Sequence, residues 1–299
     1  CMLRLGQLAG LIARIPDQKR FVKAYVIKEA LLSSAIEGIH TTLLDVFTEP
    51  LVSSSDVRKE TQLVLNYTRA LDTVMEAFEE GLPVSTRSIK RAHKALLSGE
   101  SDSADPGNYR KQSVRVGALV PPPASRINDL MGDLEQYVNA QDEALPVLIR
   151  AGLAHVQFET IHPFLKGNGR IGRLLIVMML VDGGLLPAPI LYPSYFFKKH
   201  HAEYYMRLDR VRTQGDFEGW VAYYLKGIAE SAQDAYLRAG DIDALELELK
   251  EKIARSGKSQ RVVEQLDQAL TIFFRYPIIS VGYLADQLKK SYNNAHALI

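Results

Sequence analysis

The sequence predicts an all-α protein: a helical bundle carrying one short β-hairpin flap, followed by a helix-turn-helix segment. Three observations carry that expectation. Apolar residues recur at three- and four-residue spacing in nearly every long segment. Gly, Pro and short polar residues punctuate those segments where helices should start and stop. Only residues 105–123 alternate in the manner of a strand. At 299 residues, 47% apolar and 24% charged, the chain is long enough to bury a full core and to form two domains. Thirty-six Lys+Arg against 35 Asp+Glu leave a net charge of +1, so no overall field favours nucleic acid or an anionic membrane, and any such contact needs a local patch. The single cysteine, Cys1, can form no internal disulfide, and a reducing cytoplasm is the expected setting.

Taken in order, the first clear helix is "DQKRFVKAYVIKEALLSSAIEG", residues 17–38, with Asp17 as N-cap after Pro16 and Gly38 as the stop. Its apolar stripe runs through Phe21, Tyr25, Val26 and Leu32. Further helices are predicted over 56–79, 85–98, 126–139, 144–158, 168–182, 198–213 and 216–235. The most apolar run starts at Leu174 and is broken by Asp182, two glycines and two prolines before it reaches the roughly 20 residues of a membrane span. It reads as a buried helix followed by a loop. No secretory pattern opens the sequence, and no membrane partner is expected.

In residues 105–123, Pro-Gly opens a turn, Val114 and Val116 alternate with polar neighbours, and three prolines close the segment. A lone hairpin is marginal in water unless it lies on something, so a flap over the edge of a cleft is expected. Around 238–260 the composition turns charged and poor in aromatics, as in a connecting helix or linker. A domain boundary is therefore placed near Gly240, giving N-terminal helices over 1–55, a core over 56–238 and a linker helix with a C-terminal domain over 239–299. That last part shows an amphipathic helix, a break at Pro277 and two short helices separated near Lys289–Ser291, a helix-turn-helix or partial winged-helix pattern with no β-wing after it in this sequence.

The chemistry concentrates in "HPFLKGNGRIGR", His162 to Arg173. Gly167-Asn168-Gly169 can bring consecutive N–H groups into one concavity, and the apolar run behind it puts that nest at a helix N-terminus, where an anion is favoured. Arg170 and Arg173 are three apart, neighbours on the first helical turn, and their guanidiniums suit a di- or triphosphate. His162 just ahead is the side chain suited near neutral pH to take a proton from an attacking hydroxyl. Pro163 stiffens the approach, and Phe164 is expected to point inward and pin the loop. Together these parts describe transfer of a phosphorus group to a hydroxyl.

The stretch resembles the Fic-family signature, His-x-Phe-x-Asp/Glu-Gly-Asn-Gly-Arg-x-x-Arg, at every defined position except Lys166. "PGNYR" ahead of the flap, "FETIHPF" and "EYYMRL" at 203–208 extend the likeness over roughly residues 15–235. The resemblance implies a Fic-type helical bundle and AMP transfer from ATP to a Tyr, Thr or Ser hydroxyl of a target protein or of the chain itself. His162 would be the general base. Gly167, Asn168 and Gly169 would cradle the α- and β-phosphates, and Arg170 and Arg173 would hold the β/γ end. Tyr205 is either the residue lying against the adenine or an amphipathic core tyrosine. Val114, Arg115, Val116 and Gly117 would pair with an extended target segment by strand addition. The segment "SSAIEG" resembles the family's inhibitory motif through Ser33, Glu37 and Gly38, with Glu37 pairing with Arg173 where a γ-phosphate would sit.

Lys166 stands where the resemblance implies an acidic Mg²⁺ ligand, and a lysine has no acceptor and repels the ion. Three outcomes stay open: the ammonium neutralises phosphate as a point cation, with slow or metal-indifferent transfer; phosphates and water alone hold Mg²⁺; or nucleotide binds without turnover. A silent Fic protein acting as a nucleotide sensor or DNA-binding regulator is the alternative, although "SYNNAHALI" carries no Arg or Lys of its own and only Lys289 and Lys290 precede it. Packing, dimerisation or partner contact is as good a use for that segment, so a homodimer is among the expected assemblies. Family relatives also transfer phosphate, UMP or phosphocholine, and the base of the donor stays open.

Overall fold

The computed structural model describes residues 1–15, 18–49, 56–100, 104–140 and 145–299. Helix is the regular structure throughout, and no strand occurs among the described residues. In chain order the helices are α1 (Met2–Arg14), α2 (Gln18–Ile36), α3 (Leu43–Thr48), α4 (Lys59–Glu79), α5 (Thr86–Leu96), α6 (Ile127–Asn139) and α7 (Val147–Ile161). They continue as α8 (Asn168–Asp182), α9 (Ser194–Lys199), α10 (His201–Gln214), α11 (Phe217–Ala254), α12 (Gln260–Arg275), α13 (Val281–Leu288) and α14 (Tyr292–His296).

The central helix is α8, whose residues from Asn168 to Leu180 are all buried; its length beyond Arg173 is apolar on every side and has to be wrapped. Its neighbours are α2, α4, α5 and α7. Helix starts follow local chemistry: Thr42 and Asp45 form a capping box for α3 and Ser85 and Ser88 one for α5, while the Asp216 side chain accepts from Gly219 N at the head of α11. Gly38 takes φ +78°, with Ile39 N donating to Ser34 O and Gly38 N to Ala35 O, a Schellman end to α2. Phe21, Tyr25 and Val26 are buried as the stripe requires; Asp17 lies outside the described residues, as does the boundary at residue 55.

Several boundaries differ from expectation for identifiable reasons. α1 is a full helix that packs Leu5, Leu8 and Ile12 inward, although Gly6 and Gly10 weaken its propensity. The expected 198–213 helix is split at His200, with α9 starting at Ser194 behind Pro193. α7 starts at Val147 behind Pro146 and runs on to Ile161. α11 passes through Gly240 unbroken: its last buried residue is Ala239, and beyond it ion pairs at i,i+4, such as Lys250–Glu246 and Lys252–Glu248, line a solvated helix. The C-terminal helices α12–α14 share a small core of Ala269, Leu284, Ala285 and Ala295.

The expected hairpin reduces to one antiparallel bridge. Val116 and Leu119 exchange both hydrogen bonds at 3.0 Å around Gly117, which has φ +59°. Further rungs are missing because Pro121–Pro123 bring no donors and because the carbonyls of Gln112 and Pro122 are taken by the Arg110 guanidinium, at 2.9 and 2.6 Å.

Candidate active site

The site forms where α7 ends and α8 begins. α7 stops at Ile161, and His162 caps it in the left-handed region (φ 50°, ψ 61°), with its N–H still donating to Phe158 O at 2.9 Å. The chain turns through Pro163–Lys166 and enters α8 from Gly167, also left-handed at φ 75°. A non-glycine residue held at positive φ is uncommon and tends to mark function.

Two side chains fix this loop from beneath. Phe164 is fully buried and stacks on His93 with ring centroids 3.7 Å apart. Asn168 closes a ring on the Phe164 backbone, accepting its N–H at 2.9 Å and donating to its C=O at 2.8 Å. Its amide therefore shapes the loop instead of projecting into the cleft. His93 Nδ1 accepts from Gly107 N at 2.8 Å, so Nε2 carries the proton and donates to Lys166 O at 3.0 Å. Burial holds His93 at a pKa of about 4, and it is a neutral strut.

Sequence reasoning gave Arg110 no role of its own. Only 2% exposed, its guanidinium donates to four backbone carbonyls: His162 O at 2.8 Å, Ile161 O, Gln112 O and Pro122 O. Its own N–H donates to Pro163 O at 2.8 Å. One side chain thus ties both ends of the flap segment to the histidine turn. "PGNYR" was the available signal, but carbonyl acceptors leave no mark in sequence.

The head of α8 is strongly cationic and dry. Arg173 is 1% exposed; it donates to Ser33 Oγ and Ser33 O at 2.9 and 2.8 Å and to Glu37 Oε1 at 2.9 Å. Burial opposes its charge most strongly, yet Glu37, Tyr204 and Glu159 together outweigh it and its pKa is raised. Glu37 sits at the C-terminal end of α2, where the dipole disfavours an anion. Burial also acts against its charge, and Arg173, Arg170 and His162 overcome both, holding the carboxyl below its ordinary range. Its side chain stays 30% exposed. A Cβ on Gly169 would land on Glu37 Oε1, so the carboxylate lies against the first turn of α8, where the sequence predicts an anion nest.

Arg170 is the counterpart that feels Glu37 only at a distance. It is 5% exposed, and its Nε and Nη1 are buried with no hydrogen-bond partner. Leaving such donors unmade costs on the order of 1–3 kcal/mol, more for a charged group. Beside it, His162 is part-buried, and burial, assisted by Arg110 and Arg212, outweighs the Glu159 backbone and takes its pKa to about 4. The ring is neutral near pH 7 and able to accept a proton. Glu159, buried one turn earlier in α7, has its carboxyl pushed up to about 7 by burial.

Tyr204 is buried and its hydroxyl meets His155 Nε2 at 2.8 Å, whereas Tyr205 is 42% exposed. The core tyrosine of "EYY" is therefore Tyr204, and Tyr205 faces outward within the electrostatic reach of Glu37 and Arg173. Val114–Gly117 lie along the flap, and Val116 is exposed.

Lys166 is exposed, and its Nζ lies 3.8 Å from Glu100 Oε2, while Lys59 Nζ lies 3.4 Å from Glu100 Oε1. A carboxylate does stand beside the motif, but two ammonium groups already engage it. No group of three or more His, Cys, Asp or Glu suited to a metal exists among the described residues. This donor set does not fit a protein-held Mg²⁺.

No helix among the described residues is long and apolar enough to cross a membrane. A family model described as Fic/DOC family matches residues 83–180, and one described as Fic/DOC family N-terminal matches residues 2–76. A protein adenylyltransferase Fic of Culex quinquefasciatus is 31% identical over 157 residues, 52% of this chain and 30% of that protein. Another, of Aedes aegypti, is 28% identical over 251 residues, 79% of this chain and 47% of that protein. The chain thus spans less than half the length of these curated relatives. Among solved structures, a Fic family protein from Desulfovibrio desulfuricans G20 superposes with TM-score 0.65 at 23% identity, covering 99% of this chain and 86% of that one. Fic-1 from C. elegans gives TM-score 0.63 at 22% identity, covering 83% and 72%. Both are likenesses of fold.

Proposed function

The chain belongs to the Fic/DOC family, and from that premise we propose that it is an autoinhibited protein adenylyltransferase. A target hydroxyl oxygen attacks the α-phosphorus of ATP, the bond from that phosphorus to the pyrophosphate oxygen breaks, and pyrophosphate leaves. His162 takes the hydroxyl proton. The observation that carries the reading is the buried Arg170, whose Nε and Nη1 have no partner, beside a helix N-terminus already holding a carboxylate. Such donors are best satisfied by phosphate oxygens. Gly167 and Gly169 allow the backbone approach, Asn168 keeps the turn in shape, and Arg170 and Arg173 take the β/γ end. Tyr205, exposed at the mouth, is the residue offered to the adenine. The target strand adds to the flap at Val114–Gly117, through backbone groups outside the single bridge, although the Gly117 carbonyl already accepts from Arg115 Nε at 3.2 Å.

Inhibition is read from Glu37, whose carboxylate holds Arg173 and fills the place of a γ-phosphate. Ser33 keeps Arg173 aimed at it, and Gly38 ends α2 so that Glu37 points into the cleft. Lys166 supports a second, weaker reading: paired with Glu100, it offers no metal ligand and favours slow transfer or a nucleotide-sensing protein.

The test is incubation with α-labelled ATP, with and without Mg²⁺. Glu37→Gly should label itself or an added target at least tenfold faster than wild type, and the added change His162→Ala should abolish the label. A folded Glu37→Gly protein no more active than its His162→Ala counterpart defeats the assignment.

A further inference from the structure

A second charged site lies outside this cleft, on α5. Four cations, Arg87, Lys90, Arg91 and Lys94, occupy positions i, i+3, i+4 and i+7 and so form one stripe. They line a groove of about 400 Å³ whose other wall is the loop at Gly107 and Asn108. No ion pair is made by any of the four among the described residues. On α11 the surface cations do find carboxylates one turn away, as in Lys226–Glu230, Arg238–Asp234 and Lys252–Glu248. On α5 each i,i+3 and i,i+4 neighbour repels instead, and Arg87 stands in the first turn, where the helix dipole disfavours a cation. In a chain whose net charge is +1, the stripe is a local excess that an acidic ligand would relieve.

The loop wall of the groove is fastened to α5 and lies next to the flap. Gly107, at φ +85°, packs so closely that a Cβ there would come within 3.2 Å of Lys94 Cβ, and its N–H is fastened to His93 Nδ1. Two carboxylates border the groove, and both are engaged: Asp105 accepts from the Asn108 side chain at 2.7 Å and Glu135 from Thr86 N at 2.7 Å. Lys90 Nζ sits 3.9 Å over the ring of Tyr109, which in turn packs on Phe164 of the histidine loop. The next residue is Arg110, which ties the flap to His162. The groove wall thus runs directly into the target-docking segment.

We propose that this groove docks an acidic segment of the protein substrate, one rich in Asp and Glu, and so selects targets whose modified hydroxyl lies close in sequence to clustered carboxylates. The inference rests on the flap being the target-docking element. Charge complementarity defines the occupant, and continuity with the flap sets it apart from a free-standing anion site. Binding should weaken with salt, because it is electrostatic and solvent-exposed.

Fluorescence anisotropy with a labelled decapeptide of alternating Glu and Ser, in the absence of nucleotide, tests the groove separately from catalysis. At low salt the acidic peptide should bind, and its Gln/Ser counterpart should not. Arg87→Gln/Arg91→Gln/Lys94→Gln should weaken binding at least tenfold, while Arg87→Lys/Arg91→Lys keeps it; circular dichroism confirms that both are folded. Unchanged binding in the neutralised variant, or no binding by wild type, overturns the proposal. So does tighter binding of a single-stranded DNA decamer than of the acidic peptide, which would assign the stripe to nucleic acid. None of these outcomes depends on AMP transfer.

Discussion

Two contacts between a carboxylate and a cation flank the N-terminus of α8. In one, Arg173 is 1% exposed and meets Glu37 at 2.9 Å, with Ser33 supplying two further acceptors. In the other, Lys166 is 55% exposed and stands 3.8 Å from Glu100. Coulomb's law is common to both, but water screens the second and is kept from most of the first. The dry contact can therefore act as a switch with large consequences on breaking. The wet one can only tune the charge that a phosphate meets.

The largest expected effect comes from breaking the dry contact without changing its shape. Glu37→Gln should raise AMP transfer at least tenfold and lower stability by about 1–3 kcal/mol in urea unfolding. Removing one partner of a fully buried pair costs about 3–5 kcal/mol, and the 30% exposure of Glu37 reduces that. A more active variant of unchanged stability would mean that the contact restrains the site without helping to hold α2.

A smaller effect is expected at the wet contact. In a Glu37→Gly background, Lys166→Asp should raise the Mg²⁺-dependent rate several-fold and shift stability by less than about 0.5 kcal/mol, as befits a surface pair. No gain with Mg²⁺ would show that Lys166 does not limit the site.

The smallest response is to pH. Burial holds His162 at about 4, and losing Glu37 removes a charge that raises it, so activity in the Glu37→Gly background should stay flat from about pH 8 to pH 5 and fall only near or below the His162 value. Because the folded pKa of His162 is depressed, its contribution to stability is complete above about pH 6.5 and is lost as pH falls toward 4. An inflection in kcat/KM near pH 6.5 would indicate a solvated histidine in place of the buried one.

The helix pattern and the histidine-to-arginine motif were legible because both are local: periodicity, caps and a glycine turn sit within a few residues of one another. Phe164 and Gly38 are placed as their neighbours in sequence suggested. What stayed hidden acts across the chain. Glu29, buried on α2 and raised to about 7 by burial, accepts from Ser194 and Tyr67, 165 and 38 residues away. Arg110 reaches carbonyls, which every residue possesses. The side-chain use of Asn168 was equally hidden: the nest reading concerned its backbone N–H, whereas its amide closes a ring on the Phe164 backbone four residues back. The flap lost its strands to the same carbonyl capture, which alternation of Val114 and Val116 could not reveal.

The steric state of Gly169 limits how this protein can change by mutation. Any side chain there would collide with Glu37 Oε1 and come within 3.0 Å of Arg173 Nη1, and the same surface is the one proposed above to receive nucleotide phosphate. A substitution at 169 would therefore expel the carboxylate and obstruct the nucleotide together, so it cannot yield an unrestrained enzyme. Under the proposed inhibition, the short genetic route to constitutive activity runs through residue 37. Selection for escape from inhibition should return changes there, or in Ser33 beside it, and leave residue 169 untouched.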